Sequence, residues 1–364
     1  MKSPTRLSSF GIGLTIFSMF FGAGNSIFPL YVGVVSKNFW YVSFFGLFLT
    51  AVLMPVLGIF AILKSRGDPL YFFERLGKPF GFLIAFFVIS LLGPLGSTPR
   101  CIAISYATLI SDSSISMPLF AFLACLLIFF CSLKKQYILA IIGYVLTPVL
   151  LISLVSIIIT GLISDCTTSK QVENAHNLFY FGLFEGYKTM DLLAAFFFSS
   201  TILSIIAKSH SSERLLVRGG LIGGGMLSLM YGGFCFVAGV HSDSLSVFHQ
   251  EQLLGKLAEI LLGDKASFIV KVAISTACLT TAIALITAFT DFLQSNLLKN
   301  KLSYPVVLAK SLFLTFCISI FEFSYISRML SFILQIIYPG LILLTLFSCL
   351  FNQKQLIFKS KNSL

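Results

Sequence analysis

The chain has 364 residues, and its composition and charge argue against most classes of soluble protein. Hydrophobic residues make up 57% of the sequence and charged residues only 11%, whereas soluble domains carry about a quarter charged residues. The net charge is +11, but the basic residues lie in short gaps between apolar runs and not on one face or tail. This distribution is typical of membrane topology signals and does not indicate a nucleic-acid partner.

Apolar runs of the length that crosses a bilayer recur from Ser8 to Leu350. About 20 residues of helix span the roughly 30 Å hydrocarbon core. The runs do not alternate between polar and apolar residues as the strands of a membrane barrel do, so we predict an all-α integral membrane protein. Ten spans are predicted, at residues 8–34, 39–63, 80–109, 117–133, 137–163, 181–207, 219–240, 266–292, 303–321 and 329–350.

The positions of lysine and arginine predict the orientation of the spans. Most of the 25 basic residues lie in gaps on the same side as the N-terminus. Because cytoplasmic gaps carry the excess of basic residues, we expect both termini in the cytoplasm, with residues 351–364 forming a short cytoplasmic tail. The first apolar segment is too long for a cleavable signal peptide, and no small-residue cleavage site follows it.

Two gaps between spans are long enough to have structure of their own. Residues 68–79 lie on the predicted inner side, and residues 244–262 lie on the predicted outer side. Within the outer gap, Leu253, Leu257 and Leu261 recur at helical spacing and so share one face. We expect an interfacial helix there, which either acts as a lid or rests on the bundle.

The first span contains a sequence that disfavours a continuous helix, MFFGAGNSIFPL at residues 19–30. Gly22 and Gly24 are poor helix formers, and Pro29 cannot donate a hydrogen bond to the carbonyl of Asn25. Backbone groups freed at such a break cannot face lipid, so they must face a cavity or a ligand. A helix that begins there directs N–H groups at an anion, and the preceding carbonyl end suits a cation. The alternative is a close helix contact through the two glycines.

Four sequence blocks add to this picture: GAGNSIFP at 22–29, GPLGSTPR at 93–100, EGYKTMDLLA at 185–194 and ACLTTAIAL at 277–285. In this order they resemble the blocks of the branched-chain amino acid:cation symporter family, and the resemblance extends from Ser8 to Leu350. It implies a LeuT-like architecture, in which discontinuous first and sixth helices hold substrate and cation near the bilayer midplane. The two inverted five-helix repeats would then be residues 8–163 and 181–350.

The resemblance also implies a function. The expected function is that of a secondary active symporter, which imports leucine, isoleucine and valine by alternating access. It would lie in the bacterial cytoplasmic (inner) membrane, surrounded by lipid. We expect the substrate carboxylate at the N–H groups of Ala23 to Asn25, with Gly22 and Gly24 beside it. No cofactor is expected, and Na⁺ is the expected coupling ion. The alternatives are a carrier of the same fold for another neutral or aromatic amino acid, and coupling to protons.

The break in the sixth span has no glycine to mark it. In an inverted repeat it should lie as deep from the outside as the first break lies from the inside, which falls at residues 197–200. Phe198 and Ser199 are therefore predicted to bind substrate. The serine hydroxyls either bond freed backbone groups or the substrate amine, or they bond back to a carbonyl of their own regular helix. Four residues are then expected at the outer entrance: Gly186, Tyr187, Thr189 and Asp191.

The eighth span carries neutral oxygens of the kind that a hard cation prefers. Hydroxyls come from Ser275, Thr276, Thr280 and Thr281, and a carbonyl comes from Ala277. The LeuT-like resemblance implies that Thr280 and Thr281 face carbonyls of the first span. A sodium site is therefore predicted from Ser18, Phe21, Ala277, Thr280 and Thr281. Interhelical hydrogen bonding by the threonines is the alternative.

Arg100 lies within or at the end of the third span. An arginine is costly to bury there unless it is paired or faces water, so we expect a functional position for it. Its partner is either a set of backbone carbonyls at a helix end or a carboxylate.

Other classes of function find little support in the sequence. All four histidines lie in predicted loops, and Asp191 is the single carboxylate predicted at depth, so no enzyme is predicted. Of the eight cysteines only Cys166 lies in a predicted loop, so neither a disulfide framework nor a zinc site is expected. A channel would need rings of like residues in an oligomer, whereas here the broken helix occurs once per repeat.

Overall fold

The computed structural model describes residues 9–110, 115–133, 137–164, 175–206 and 212–350. Within these ranges every regular element is helical, as the apolar runs predict. The predicted loop around Cys166 and the predicted tail at 351–364 lie outside the described residues.

The described residues of the first half of the chain form nine α-helices. They are α1 Ser9–Phe20, α2 Ala23–Ser36, α3 Trp40–Phe48, α4 Met54–Lys64, α5 Pro69–Phe73, α6 Lys78–Leu92, α7 Ser97–Leu109, α8 Met117–Leu133 and α9 Tyr137–Ile163. A π-helical turn at Leu49–Leu53 joins α3 to α4, so that the predicted span 39–63 is one continuous helical stretch.

In the second half, the part of the chain that the structure describes forms seven more α-helices. They are α10 Ala175–Thr189, α11 Asp191–Ile206, α12 Ser212–Val240, α13 Ser242–Leu245, α14 Leu253–Phe292, α15 Tyr304–Ser319 and α16 Phe323–Leu350. Gly263, at φ 75° and ψ 170°, interrupts α14, and the part after it corresponds to the predicted span 266–292.

Five helical stretches of the described residues are long and apolar enough to cross a membrane: Gly24–Lys64, Lys78–Leu109, Arg214–Val240, Gln250–Leu297 and Phe323–Leu350. Shorter apolar helices lie at Ser9–Phe20, Met117–Leu133, Leu150–Ile163 and Tyr304–Ser319. The number of spans and their division into two inverted repeats stay predictions, because length and composition alone do not establish them.

The predicted break in the first span is confirmed. The helix α1 ends at Phe20 and α2 begins at Ala23, with Gly22 in an extended conformation at φ −103° and ψ −168°. Pro29 lies inside α2, two turns beyond the break. The interruption therefore consists of Phe21 and Gly22, and the proline adds only a missing backbone donor further along.

The predicted position of the sixth-span break is wrong. Residues 197–200 are regular helix, and the break lies at Met190, between α10 and α11. Met190 has φ 61°, a left-handed conformation that is uncommon for a residue other than glycine. Its carbonyl accepts the first hydrogen bond of α11, from Ala194 N at 3.0 Å. No helix-breaking residue type marks this position, so the sequence pattern missed it.

The third span is also interrupted, which the sequence analysis did not anticipate. Four residues, 93–96, separate α6 from α7. A side chain at Gly93 would meet Phe289 of α14 at 2.8 Å, and one at Gly96 would meet the carbonyl of Leu91. The two glycines thus allow the chain to turn between two helices while α14 packs directly on the turn.

The helices pack closely around the two broken spans. The helix α12 lies along both α1 and α2, while α14 packs on α7 and α9 and α10 packs on α3. Small residues make these contacts close: a side chain at Gly182 would meet the carbonyl of Ser43, and one at Gly219 would meet Ile12. Close backbone approach of this kind replaces the hydrophobic effect as the source of attraction between helices in lipid.

Both long gaps are structured, as predicted. On the predicted inner side, the Asp68 carboxylate accepts a hydrogen bond from Leu70 N at 2.9 Å and caps α5, and Phe72 packs on Phe196 of α11 with ring centroids 4.9 Å apart. On the predicted outer side, Leu253 and Leu257 are buried at the start of α14. This helix rests on the bundle, and its role as a lid stays a prediction.

Candidate functional site

The two helix breaks lie beside each other and are joined by side chains. Asn25, in the first turn of α2, donates from Nδ2 to the Asp191 carboxylate at 2.7 Å and 2.9 Å. The same nitrogen donates to the carbonyl of Phe20, the last residue of α1, at 2.9 Å. Asn25 therefore links the end of α1 to the first residue of α11. Both side chains are buried, each with 2% of its surface exposed.

A third helix contributes Tyr231 to this cluster. The Tyr231 hydroxyl of α12 donates to the Asp191 carboxylate at 2.9 Å and also contacts Asn25 Nδ2. An amide nitrogen carries two hydrogens, so Asn25 shares them among the neighbouring oxygens of Phe20, Asp191 and Tyr231. The cluster holds α11 and α12 against the break in the first span.

Arg100 occupies the other side of the second break. From α7, its Nη1 donates to the carbonyl of Lys188 at 2.7 Å and its Nη2 contacts Met190 Sδ at 2.9 Å. Its guanidinium lies over the Phe28 ring, 5.5 Å from the centroid. Arg100 thus caps the carbonyl end of α10, which decides between the two partners predicted for it. Among the described residues its Nε finds no hydrogen-bond partner, although only 3% of the residue is exposed.

A cavity of about 30 Å³ lies between the two breaks. Its wall includes Gly22, Gly24 and Asn25 from the first break and Thr189, Met190 and Asp191 from the second, together with Arg100, Phe198 and Thr281. A space of this size holds about two water molecules. An amino acid therefore fits only if the helices around the cavity move apart.

The structure brings together most of the residues predicted for the substrate. Gly22, Gly24, Asn25 and Phe198 line the cavity, and Ala23 is the first residue of α2. Ser199 is not in the cavity wall. Its hydroxyl donates to the carbonyl of Ala195 at 2.5 Å, which is the back-bonding alternative for the serines of this span.

Of the residues predicted to bind sodium, one lines the cavity and others bond within their own helices. Thr281 lines the cavity, and its methyl group lies 3.2 Å from where a side chain at Gly22 would begin. The Thr280 hydroxyl donates to the carbonyl of Ala277 at 2.8 Å, and the Ser18 hydroxyl donates to the carbonyl of Thr15 at 2.9 Å. Phe21 lies in the break itself, and its N–H donates to Phe17. Whether these oxygens bind a cation stays a prediction.

Three residues of the site were misplaced or missed by the sequence analysis. Asp191 and Thr189, which were expected at the outer entrance, line the cavity at the second break. Tyr231 was not singled out, because one tyrosine in a long apolar helix gives no distinguishing pattern. For Asp191 a signal was available, since a carboxylate within an apolar span is rare and usually functional.

The remaining residues expected at the entrance have structural contacts. Tyr187 stacks on Tyr338 of α16 with ring centroids 4.5 Å apart, and a side chain at Gly186 would meet the Thr50 hydroxyl. These contacts fix α10 against α16 and against the π-helical turn between α3 and α4.

Comparison with known protein families identifies the family of this chain. Residues 5–363 match the family described as "Branched-chain amino acid transport protein". The chain belongs to this family. The resemblance seen in the four sequence blocks is thereby confirmed, and family membership places the chain among multi-pass membrane transport proteins and not among enzymes.

Several proteins that this chain resembles come from staphylococci. A protein of Staphylococcus epidermidis named "Putative branched-chain amino acid carrier protein" is 28% identical over 353 residues, which cover 90% of this chain and 78% of the relative. Similarly named proteins of Staphylococcus aureus are 28% identical in strain bovine RF122 and 27% identical in strain USA300, with the same coverage.

A solved structure supports the fold of this family member. A Na⁺-coupled sialic acid symporter, described in a substrate-bound outward-open state, aligns with a TM-score of 0.58 over 95% of this chain and 79% of its own. The sequence identity is 12%, so the similarity shows a shared fold and nothing further.

Proposed function

We propose that this protein is a secondary active symporter that imports leucine, isoleucine and valine with Na⁺ by alternating access. The observation that carries the proposal is the cavity between two helix breaks, joined by Asn25 and Asp191, in a branched-chain amino acid transport protein. In the proposed architecture, ten spans form two inverted repeats, residues 8–163 and 181–350, in the bacterial cytoplasmic membrane with both termini in the cytoplasm.

The start of α2 is the proposed site of the substrate carboxylate. The first N–H groups of a helix lack the carbonyl partners of later residues, and together with the helix dipole they stabilise an anion. The N–H of Asn25 donates to the Gly22 carbonyl at 3.2 Å, so the N–H groups of Ala23 and Gly24 are the proposed donors. A side chain at Gly24 would begin 3.1 Å from the Phe28 ring, in the wall of the cavity at the start of α2. Phe198 and Leu285 provide an apolar wall for the aliphatic side chain of the substrate.

The carbonyl end of α1 and the facing threonine of α14 are the proposed place for Na⁺. The last carbonyls of a helix carry a partial negative charge and lack intrahelical donors, and sodium prefers neutral oxygens. Thr281 faces this end beside Gly22. A zwitterionic substrate has no net charge, so its accumulation against a gradient needs such an ion.

One observation favours proton coupling as a second candidate. Asp191, the single carboxylate that the sequence predicts at depth, lies at the centre of the site and is buried. Buried carboxylates within membranes often mark proton pathways.

Uptake of labelled leucine into proteoliposomes, with sodium and proton gradients imposed separately, tests the proposal. We expect an inward sodium gradient to drive accumulation. Isoleucine and valine should each inhibit uptake, since one methylene changes binding by only about 1 to 3 kcal/mol. Equal uptake with a proton gradient in sodium-free buffer would favour the second candidate. Absence of mutual inhibition would favour a carrier for another amino acid.

A further inference from the structure

The Asp191 carboxylate is buried among neutral partners. Its oxygens accept from the Asn25 amide and the Tyr231 hydroxyl. Among the residues that the structure describes, no lysine or arginine nitrogen lies within 4.0 Å of it. Arg100 lines the same cavity without forming an ion pair with Asp191. A buried carboxylate that lacks an ion-paired cation is unfavourable unless it takes up a proton or gains a positive partner, and a positive group that enters the cavity would be such a partner.

Asp191 has the capacity and the location to bind such a group. An ionised carboxylate offers about four acceptor positions, and the two neutral donors leave some of them unused. The carboxylate is part of the cavity wall, which also includes the start of α2. A ligand in the cavity can therefore reach Asp191 and the helix N-terminus at the same time.

Groups that would attract a negative charge line the same cavity close to Asp191. Gly24 and the other first residues of α2 present N–H groups, and Arg100 lines the same cavity with an Nε–H that has no partner among the described residues. Asn25 connects the start of α2 to the Asp191 carboxylate. Its backbone belongs to the start of α2, while its side-chain amide lies 2.7 Å from Asp191. The positive and negative parts of the wall are therefore neighbours.

We propose that the Asp191 carboxylate binds the α-ammonium group of the transported amino acid. An α-amino acid carries its ammonium and carboxylate on one carbon atom, so the groups that bind them must be neighbours, as Asp191 and the start of α2 are. Ser199, predicted to meet the amine, bonds within its own helix instead. This inference rests on the proposed function, since it assigns one of the charged groups of that substrate.

Competition against labelled leucine, in purified full-length protein at saturating sodium, tests the inference. The probes are leucine, β-leucine and 2-hydroxy-4-methylpentanoate, in which a neutral hydroxyl replaces the ammonium group. In the wild-type protein we expect the hydroxy acid to compete at least about 30-fold more weakly than leucine, because the carboxylate then has no cation. β-Leucine, whose charges lie further apart, should also compete weakly. A hydroxy acid that competes as well as leucine would overturn the inference without any variant.

The Asp191→Asn variant adds a second measurement. Leucine affinity should fall by about 30-fold or more, while the affinity for the hydroxy acid should be unchanged or higher. Asp243→Asn is the matched control, because it makes the same change at an exposed outer carboxylate, 54% of whose side chain is accessible. That control should bind leucine as the wild type does.

Other outcomes contradict the inference in distinguishable ways. An equal loss of leucine and hydroxy acid in Asp191→Asn would show that Asp191 only positions the helices. Unchanged leucine preference with a higher sodium requirement would assign Asp191 to the coupling ion. Failure of the wild type to bind leucine, isoleucine or valine at all would instead refute the proposed function.

Discussion

The amide of Asn25 donates to the carboxylate of Asp191 at 2.7 Å, across 166 positions of sequence. This contact joins the start of α2 to the start of α11, the two helices that begin at the breaks. Because both helix starts face one cavity, a substrate bound there contacts both breaks at once. Movement of α2 or α11 would therefore change the contacts around the cavity. The proposed alternating access requires such movement about a site that stays in place.

Asn25→Ala should weaken leucine binding by about tenfold or more. A hydrogen bond to a charged group contributes about 1.5 to 3 kcal/mol, and the variant removes it from Asp191 and from the Phe20 carbonyl. Equilibrium binding of labelled leucine measures the effect. Asn296→Ala, at an exposed position in the turn after α14, is the matched control and should bind normally. Equal affinity of both variants would contradict a role for the contact.

Gly24→Leu should abolish leucine binding while the protein still folds in membranes. The new side chain would begin 3.1 Å from the Phe28 ring and would cover the N–H groups at the start of α2. Gly340→Leu makes the same change in α16, where a side chain meets nothing within 4 Å, and should leave binding intact. Size-exclusion profiles of both purified variants check folding. Normal uptake by Gly24→Leu would remove the start of α2 as the carboxylate site.

Thr281→Ala and Thr280→Ala should each raise the sodium concentration needed for half-maximal uptake. We expect the larger shift for Thr281, which faces the first break, because the Thr280 hydroxyl already donates to Ala277. By reciprocal linkage, leucine affinity in the variants should recover at saturating sodium. Thr276→Ala, whose hydroxyl donates to Val272 one turn earlier, serves as the control. A sodium dependence identical to the wild type in both variants would remove α14 from the ion site.

Ser199→Ala should leave leucine affinity within about twofold of the wild type. Its hydroxyl donates to the Ala195 carbonyl of its own helix, a bond that contributes little to a regular helix. The neighbouring Phe198→Ala is the contrasting variant, since Phe198 lines the cavity and its loss should weaken binding. A loss of affinity above tenfold in Ser199→Ala would restore the serine as a substrate contact.

The sequence by itself determined the class of the protein and the first break. Long apolar runs require helices in lipid, because strands there would need to close into a barrel and irregular backbone cannot face hydrocarbon. Gly22 and Gly24 disfavour a continuous helix because of the conformational freedom of glycine itself, so the break can be predicted without any tertiary contact. The four family blocks could also be recognised from the sequence, since each is a short segment of consecutive residues.

Only the tertiary structure decided the second break and the centre of the site. Met190 adopts a left-handed conformation although its residue type does not favour one. Arg100, from a helix distant in sequence, holds it there by binding the Lys188 carbonyl and the Met190 sulfur. Asp191 likewise becomes central because α2 and α12 bring Asn25 and Tyr231 to it. Such positions depend on how helices pack, and packing is a property that no local sequence pattern encodes.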